Sequence, residues 1–191
     1  MNKIYITADE LLSSSFKLGE MIIKSGFRPD FIVGVWRGGT PVGIAVQELL
    51  DFCHIKTDHF AIRTSSYTGI GKQKDKVKVY GLHYLIDHMN SDDNLLILDD
   101  VFDSGRSIAA IIDDLKKHMR KNMPNDLRVG TVYYKAGKNL TQRTPDYYVH
   151  QTEEWLIFPH ELDGLTDEEL LSSKQDAEML VALRKFCDQK S

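Results

Sequence analysis

Three aspartates and a run of small polar residues follow one another in the middle of the sequence. The segment reads Asp99-Asp100-Val101-Phe102-Asp103-Ser104-Gly105-Arg106-Ser107. Three carboxylates within five residues repel one another unless a cation or a polyhydroxylated ligand compensates. Small residues at the beginning of a helix leave backbone N–H groups able to bind a phosphate. The segment therefore predicts a sugar-phosphate site, with the alternative that Asp103 or Ser104 merely caps a helix.

A second unusual segment reads Trp36-Arg37-Gly38-Gly39-Thr40-Pro41. Two adjacent glycines let the backbone approach a ligand closely, because no side chain stands in the way. The guanidinium of Arg37 offers a planar fork of donors for phosphate oxygens. The segment indicates a second anion site, and its alternative is a glycine turn with a surface arginine.

Both segments follow apolar runs that read as buried strands. Predicted strands cover 31–36, 59–63, 77–80, 95–98, 127–134, 147–150 and 155–158, and predicted helices cover 7–22, 41–50, 107–119 and 166–186. Strands without polar alternation, each followed by a helix, indicate a parallel sheet covered on both faces. Ligands of such sheets bind beyond the carboxyl ends of the strands, where the two segments lie.

Composition excludes several classes of protein. The chain has 191 residues, of which 42% are hydrophobic and 27% charged, with a net charge of -4. These values are typical of one ordinary globular domain and argue against disorder and against non-specific nucleic-acid binding. The sequence contains no apolar run of membrane-spanning length, no secretory signal and no P-loop or dinucleotide-binding glycine motif. Two distant cysteines predict reduced thiols in a cytoplasmic protein.

The run LLILDDVFDSGRS at 95–107 resembles the phosphoribosyl pyrophosphate (PRPP) loop of type I phosphoribosyltransferases. The aspartate directly before Ser104 is similar to that of the branch acting on 6-oxopurines. The resemblance implies an α/β fold with a mostly parallel central sheet flanked by helices, a small hood and a C-terminal helix. It implies a phosphoribosyltransferase domain at 1–161, with a flexible loop at 64–78 and a base-binding hood segment at 147–161. Residues 162–191 form a C-terminal helical extension without an assignable counterpart.

The resemblance also implies roles for individual residues. Asp103 is the catalytic base, and Asp100 binds Mg²⁺ as well as ribose. In the family a cis peptide precedes the basic residue of the pyrophosphate loop, here the Trp36–Arg37 bond. The implied PRPP-binding residues are Asp99, Asp100, Ser104, Gly105, Arg106 and Ser107. The remaining implied contacts are Arg37, Gly38 and Gly39 for pyrophosphate, Ser66 and Tyr67 in the flexible loop, and Lys135, Trp155 and Leu156 for the base.

The implied reaction transfers the phosphoribosyl group of PRPP to hypoxanthine, xanthine or guanine. The products are the nucleoside 5′-monophosphate and pyrophosphate, as in purine salvage. Family members usually form homo-oligomers, so a dimer or tetramer is expected, with no nucleic-acid or membrane partner. Two alternatives stay open: a non-catalytic PRPP- or nucleotide-sensing regulator on the same fold, and a phosphoribosyltransferase for another base.

Overall fold

A computed structural model describes residues 3–67 and 76–189 of the chain. Its strands are β1 (Lys3–Tyr5), β2 (Phe31–Trp36), β3 (Asp58–Tyr67), β4 (Lys76–Tyr80), β5 (Asn94–Phe102), β6 (Asp126–Tyr134), β7 (Tyr147–Gln151) and β8 (Trp155–Ile157). Its helices are α1 (Ala8–Lys24), α2 (Gly39–Phe52), α3 (His83–His88), α4 (Arg106–Met119), α5 (Asp167–Ser173) and α6 (Ala177–Asp188). None of the described helices is long and apolar enough to cross a membrane.

Six strands form one sheet in the order β4-β3-β2-β5-β6-β7. All neighbouring strands run parallel except β4, which is antiparallel to β3. Strands β1 and β8 form a separate parallel pair. The predicted α/β fold with a mostly parallel central sheet is therefore confirmed.

The central strands are apolar because both faces of the sheet are covered. Residues 31–35 of β2 and 95–98 of β5 are buried throughout. Helix α4 packs a stripe at helical spacing against them, and full burial of one such side chain contributes about 1.5–3 kcal/mol. The buried residues of this stripe are Ile108, Ile111, Ile112, Leu115 and Met119.

Two predicted elements differ from the structure. Strand β5 extends to Phe102 because its pairing with β6 continues past the apolar run, with Asp99 opposite Thr131. The first two aspartates therefore lie on the strand and not in a loop. The predicted single helix 166–186 is two helices, since Lys174 has an extended backbone and donates from Nζ to the carbonyl of Phe158 at 2.7 Å. Helix α3 and strand β1 were not predicted.

The described residues group into two compact units, one within Asp9–Glu153 and one within Met1–Ala8 and Glu154–Ser191. We call them the sheet unit and the tail unit. The tail unit has a small core of Ile157, Leu165 and Leu170. Helix α5 begins with the predicted capping box, in which the backbone N–H of Glu169 donates to the Thr166 hydroxyl. The limits 1–161 and 162–191, taken from the sequence, stay a prediction about domains.

Candidate functional site

The two sequence segments meet at one edge of the sheet, because β2 and β5 are parallel neighbours. A Cβ atom added to Gly38 would lie 1.8 Å from Oδ2 of Asp100, and one added to Gly39 would lie 2.4 Å from the carbonyl oxygen of Leu98. Only glycine allows this approach. The predicted pyrophosphate segment and the predicted PRPP segment therefore form one continuous site.

The peptide bond between Trp36 and Arg37 is cis, as the resemblance implied. Both side chains are exposed, and Trp36 keeps 53% of its surface accessible. Helix α2 begins directly afterwards, and its N-cap residue Gly38 makes no side-chain capping bond. The backbone N–H of Thr40 donates to the carbonyl of Arg37 at 3.1 Å, that of Gly39 bonds to the Asp99 carboxyl, and Pro41 has none. The exposed guanidinium of Arg37 is therefore the group here that suits an anion.

Asp99 and Asp100 form the acidic part of the site. The backbone N–H of Asp100 donates to Oδ1 of Asp99 at 3.0 Å, and that of Val101 donates to Oδ1 of Asp100 at 2.8 Å. Burial raises the pKa of the Asp99 carboxyl well above its usual range, and the charge of Asp100 raises it further. Hydrogen bonds from the backbones of Asp100 and Gly39 act in the opposite direction. The pair therefore favours a compensating cation or hydroxyl groups.

The raised pKa of Asp99 predicts that the substitution Asp99→Asn stabilises the folded chain. Because the folded chain holds the Asp99 pKa above its unfolded value near 4, ionisation lowers the free energy of unfolding at neutral pH. The variant should be more stable than the wild type at pH 8, on the order of 1 kcal/mol or about 2–4 °C in melting temperature. The gain should shrink as the pH falls towards 4, where the wild-type carboxyl is also neutral.

Thermal unfolding between pH 4 and pH 8 measures this difference. The matched control is Asp92→Asn, at an exposed turn before β5, whose effect should not grow with pH. A gain that is equally large at pH 4 would show that the charge of Asp99 is not its cause.

The loop after β5 forms a small concavity with an empty volume of about 300 Å³. Gly105 is the N-cap residue of α4 and has a φ of 75°, the left-handed region that glycine tolerates. A Cβ atom here would also lie 2.7 Å from Oγ1 of Thr141 and 2.8 Å from the ring of Phe102. Ser107 lies in the first turn of α4, where the Thr64 hydroxyl donates to its Oγ at 3.5 Å. Phosphate binding at this helix start stays a prediction.

Sequence reasoning missed the segment that supports this loop. The backbone N–H of Leu140 donates to the carbonyl of Ser104 at 3.0 Å, and Thr141 packs under Gly105. Asn139 holds the segment in place, since its Oδ1 accepts from both the backbone and the hydroxyl of Thr141 at 2.9 Å. The available signal was Asn-x-Thr, a pattern of side chains that fold back on their own backbone.

Lys135 and Asp103 lie together at the end of β6. The backbone N–H of Lys135 donates to the carbonyl of Phe102 at 2.9 Å, which holds the two strand ends together. Nζ of Lys135 lies 3.4 Å from Oδ2 of Asp103. The lysine side chain is only 5% exposed and the aspartate side chain 45%. A directed donor beside an accessible carboxylate suits a heterocycle with a ring carbonyl near a ring N–H.

The remaining predicted site residues lie on α4, on β3 and on β8 of the tail unit. Arg106 is exposed at the first position of α4, and Ser66 and Tyr67 end β3, with side chains outside the described part of the structure. In the tail unit, β8 holds Trp155, 49% exposed, and the buried Leu156. The lysines at 72 and 74 in the predicted flexible loop lie outside the described residues.

The acidic pair also offers carboxylate oxygens, which are ligands that Mg²⁺ prefers. Within residues 3–67 and 76–189, no three His, Cys, Asp or Glu side chains come together to hold an ion. Mg²⁺ is commonly bound by one or two carboxylates together with substrate oxygens and water. Asp99 and Asp100 fit this mode, because a cation would relieve the charge repulsion that, after burial, raises the Asp99 pKa.

Comparisons with known proteins agree with this geometry. The family model described as "Phosphoribosyl transferase domain" matches residues 7–163, whereas no curated protein sequence matches the chain. A purine phosphoribosyltransferase of Pyrococcus horikoshii is 26% identical, with a TM-score of 0.69 over 87% of this chain and 99% of that one. A protein of Neisseria gonorrhoeae with bound ppGpp is 22% identical (TM-score 0.67; 85% and 91% covered). The xanthine-guanine-hypoxanthine phosphoribosyltransferase of Helicobacter pylori is 19% identical (TM-score 0.64; 85% and 96% covered).

Proposed function

The chain belongs to the phosphoribosyl transferase domain family, and we propose that this phosphoribosyltransferase uses a 6-oxopurine as its acceptor base. The proposed reaction joins hypoxanthine, xanthine or guanine to the ribose of PRPP. It yields the nucleoside 5′-monophosphate and pyrophosphate. The similarity to purine phosphoribosyltransferases in solved structures supports a purine acceptor.

The pairing of Lys135 with Asp103 is the observation on which the choice of base depends. A 6-oxopurine presents a carbonyl oxygen at C6 and a proton on the neighbouring ring nitrogen N7. The ammonium of Lys135 has only donors and suits the oxygen, while the carboxylate of Asp103 suits the proton. Adenine carries a donor amino group at C6, which an ammonium would oppose.

The β2 and β5 loops supply the groups that would bind PRPP. The backbone N–H groups of residues 104–107 at the start of α4 would hold the 5′-phosphate, and Asp99 and Asp100 would bind the ribose hydroxyls. Arg37 and the backbone at Gly38 and Gly39 would bind pyrophosphate. Binding energy from these parts of the substrate, remote from the reacting carbon, would fix its position.

The chemical step exchanges two bonds at the anomeric carbon. The purine N9 forms a bond to C1 of the ribose, and the bond from C1 to the pyrophosphate oxygen breaks with its electron pair. The carboxylate of Asp103 takes the proton that the purine loses at N7. Lys135 would donate to the carbonyl oxygen at C6, which gains electron density as the proton leaves. The guanidinium of Arg37 would stabilise the charge that develops on pyrophosphate.

We further propose that Asp100, with Asp99 beside it, holds Mg²⁺ together with PRPP oxygens. The ion would neutralise part of the pyrophosphate charge, which a net acidic chain would otherwise oppose. A cytoplasmic location is part of this proposal. It is supported by the two cysteines, which form no disulfide.

Pyrophosphate release tests the function directly. The purified chain is mixed with PRPP, Mg²⁺ and one base at a time: hypoxanthine, guanine, xanthine, adenine, orotate or uracil. We expect release with at least one of the first three and none with the others. Release with adenine or orotate alone would contradict the proposed acceptor, and nucleotide binding without any release would favour the regulator.

Lys135→Met tests the part of the lysine in base binding. Methionine matches the buried stem of the side chain but donates no hydrogen bond, so the carbonyl at C6 would lose its partner. We expect KM for the base to rise about tenfold or more, while KM for PRPP stays within about twofold. Steady-state kinetics with each substrate varied in turn measures both constants. The exposed Lys116 of α4, changed to Met, is the control, and equal effects of the two variants would contradict this role.

A further inference from the structure

Helices α5 and α6 follow the part of the chain that matches the family model, which ends at residue 163. They belong to the same unit as β8, the strand that holds Trp155 and Leu156, the two implied base contacts. Strand β8 has three residues and pairs with β1, which also has three. Two strands of this length are not stable by themselves, so other parts of the tail unit must hold them.

Helix α5 contacts this pair of strands at two points. Ile157 of β8 packs with Leu165 and Leu170 in the core of the tail unit. The hydroxyl of Tyr5 in β1 donates to Oε1 of Glu169 at 3.1 Å. Because both contacts include residues of α5, the C-terminal extension supports the strand whose residues are the implied base contacts.

The chain directly after β8 is held by two charged side chains. The backbone N–H of Phe158 donates to Oε2 of Glu161 at 3.0 Å. Nζ of Lys174 donates to the carbonyl oxygen of Phe158 at 2.7 Å and to that of Pro159 at 3.3 Å. Hydrogen bonds to charged groups are stronger than those between neutral groups. Both polar backbone groups of Phe158 are therefore fixed, immediately after the last residue of β8.

The position of Lys174 is unusual for a lysine. It lies between α5 and α6, where an extended backbone interrupts the helical run. Burial lowers the pKa of its ammonium group, and the carboxylate of Glu161 partly opposes this effect. Lysine side chains ordinarily bury their stem and keep the ammonium in water. A partly buried ammonium directed at two carbonyl oxygens therefore indicates that this lysine serves to hold the chain at 158–161.

We propose that Lys174 is a positioning residue for the acceptor base, because it fixes the chain after β8 and so orients the ring of Trp155 and the backbone of Leu156. The inference rests on the proposed function, since it takes these two residues as base contacts. Lys174 acts through β8 and does not itself touch the base. A displacement of about 1 Å in a group that contacts the substrate is enough to cost up to about 100-fold in rate. The C-terminal extension thereby contributes to base binding.

Lys174→Met tests this role in the full chain, with the base that the wild type uses. Methionine matches the stem of the lysine side chain but donates no hydrogen bond to the two carbonyl oxygens. Steady-state kinetics should show KM for the base raised about fivefold to tenfold, while KM for PRPP stays within about twofold. Lys174→Arg keeps the charge and the donors, so its KM for the base should lie within about threefold of the wild-type value.

Amide hydrogen exchange shows where the variant loosens, and it does not depend on activity. In Lys174→Met the amides of residues 155–161 should exchange about tenfold faster than in the wild type. The amides of β5 should exchange at the wild-type rate. Lys185→Met, the same change at an exposed position of α6, is the control and should alter neither the exchange nor KM.

The outcomes separate this role from the proposed function. An active Lys174→Met variant with an unchanged KM for the base would overturn the role of Lys174 alone. Equal rises in both KM values, or faster exchange in β5, would indicate general destabilisation and overturn it too. If Lys174→Arg is as impaired as Lys174→Met, the hydrogen bonds to the carbonyls are not the cause. If the wild type releases pyrophosphate with no base, the proposed function fails, and faster exchange at 155–161 would then show a purely structural lysine.

Discussion

Asp103→Asn should lower the turnover of the enzyme about 100-fold, at the lower end of what a positioned general base contributes. Asparagine has nearly the same shape as aspartate but cannot take a proton from the purine at neutral pH. The side chain is 45% exposed and lies just after β5, where it forms an ion pair with Lys135 at 3.4 Å. The substitution therefore removes the base and leaves the backbone that would bind phosphate in place.

The split between turnover and binding distinguishes this role from a structural one. Steady-state kinetics should show a fall in kcat, while the dissociation constant of PRPP, measured by calorimetry, changes less than about threefold. Asp113→Asn, the same change on the exposed face of α4, serves as the control and should leave kcat unaltered. Turnover near the wild-type value with both substrates bound would rule out Asp103 as the base.

Gly39→Ala should abolish most of the activity, by about 100-fold or more, through a single methyl group. The added Cβ would lie 2.4 Å from the carbonyl oxygen of Leu98 and 2.9 Å from Cα of Asp99. Both are backbone atoms of β5 and cannot rotate away, so the start of α2 and β5 must shift apart at the site. Such overpacking costs about 1–3 kcal/mol of folding free energy, and a shift of about 1 Å is enough to cost 100-fold in rate.

Gly43→Ala is the matched control, four residues further along α2. There the nearest atom to an added Cβ is Cα of Gly34 at 3.5 Å, an ordinary contact. Alanine within a helix is up to about 1 kcal/mol more stable than glycine, so this variant should retain activity and unfold at an equal or higher temperature. If both variants retain activity, the close approach of the two loops is not needed for catalysis.

The sheet could be predicted from sequence because its central strands have a recognisable local pattern. Burial on both faces makes Phe31–Val35 and Leu95–Leu98 continuous apolar runs, and the helix after each run has its own stripe. Strand β1 has only three residues and is held by its pairing with β8, about 150 residues away. No local pattern reports such a pairing, so the composition of the tail unit was not predictable.

The same distinction applies to the site. Residues 99–107 form one continuous segment and residues 36–39 form another. The chemistry of each segment could be inferred from residue type alone. The support of Gly105 by Thr141 and the approach of Gly38 to Asp100 join distant parts of the chain. The ion pair of Lys135 with Asp103 is another such contact, which only the pairing of β5 with β6 produces. Contact of the acceptor base with Lys135 and Asp103 stays a prediction.

The site exists only when strands more than sixty residues apart in sequence pair with each other, since β2 and β5 each supply half of it. An unfolded or partly paired chain therefore does not bind a ligand that contacts both halves of the site. By mass action, a ligand at 100 times its dissociation constant adds about 2.7 kcal/mol to the stability of the folded chain alone. The fraction of chains with ligand bound at this site therefore reports how much of the protein has a fully paired sheet. Substrate supply would govern the lifetime of the protein as well as its turnover rate.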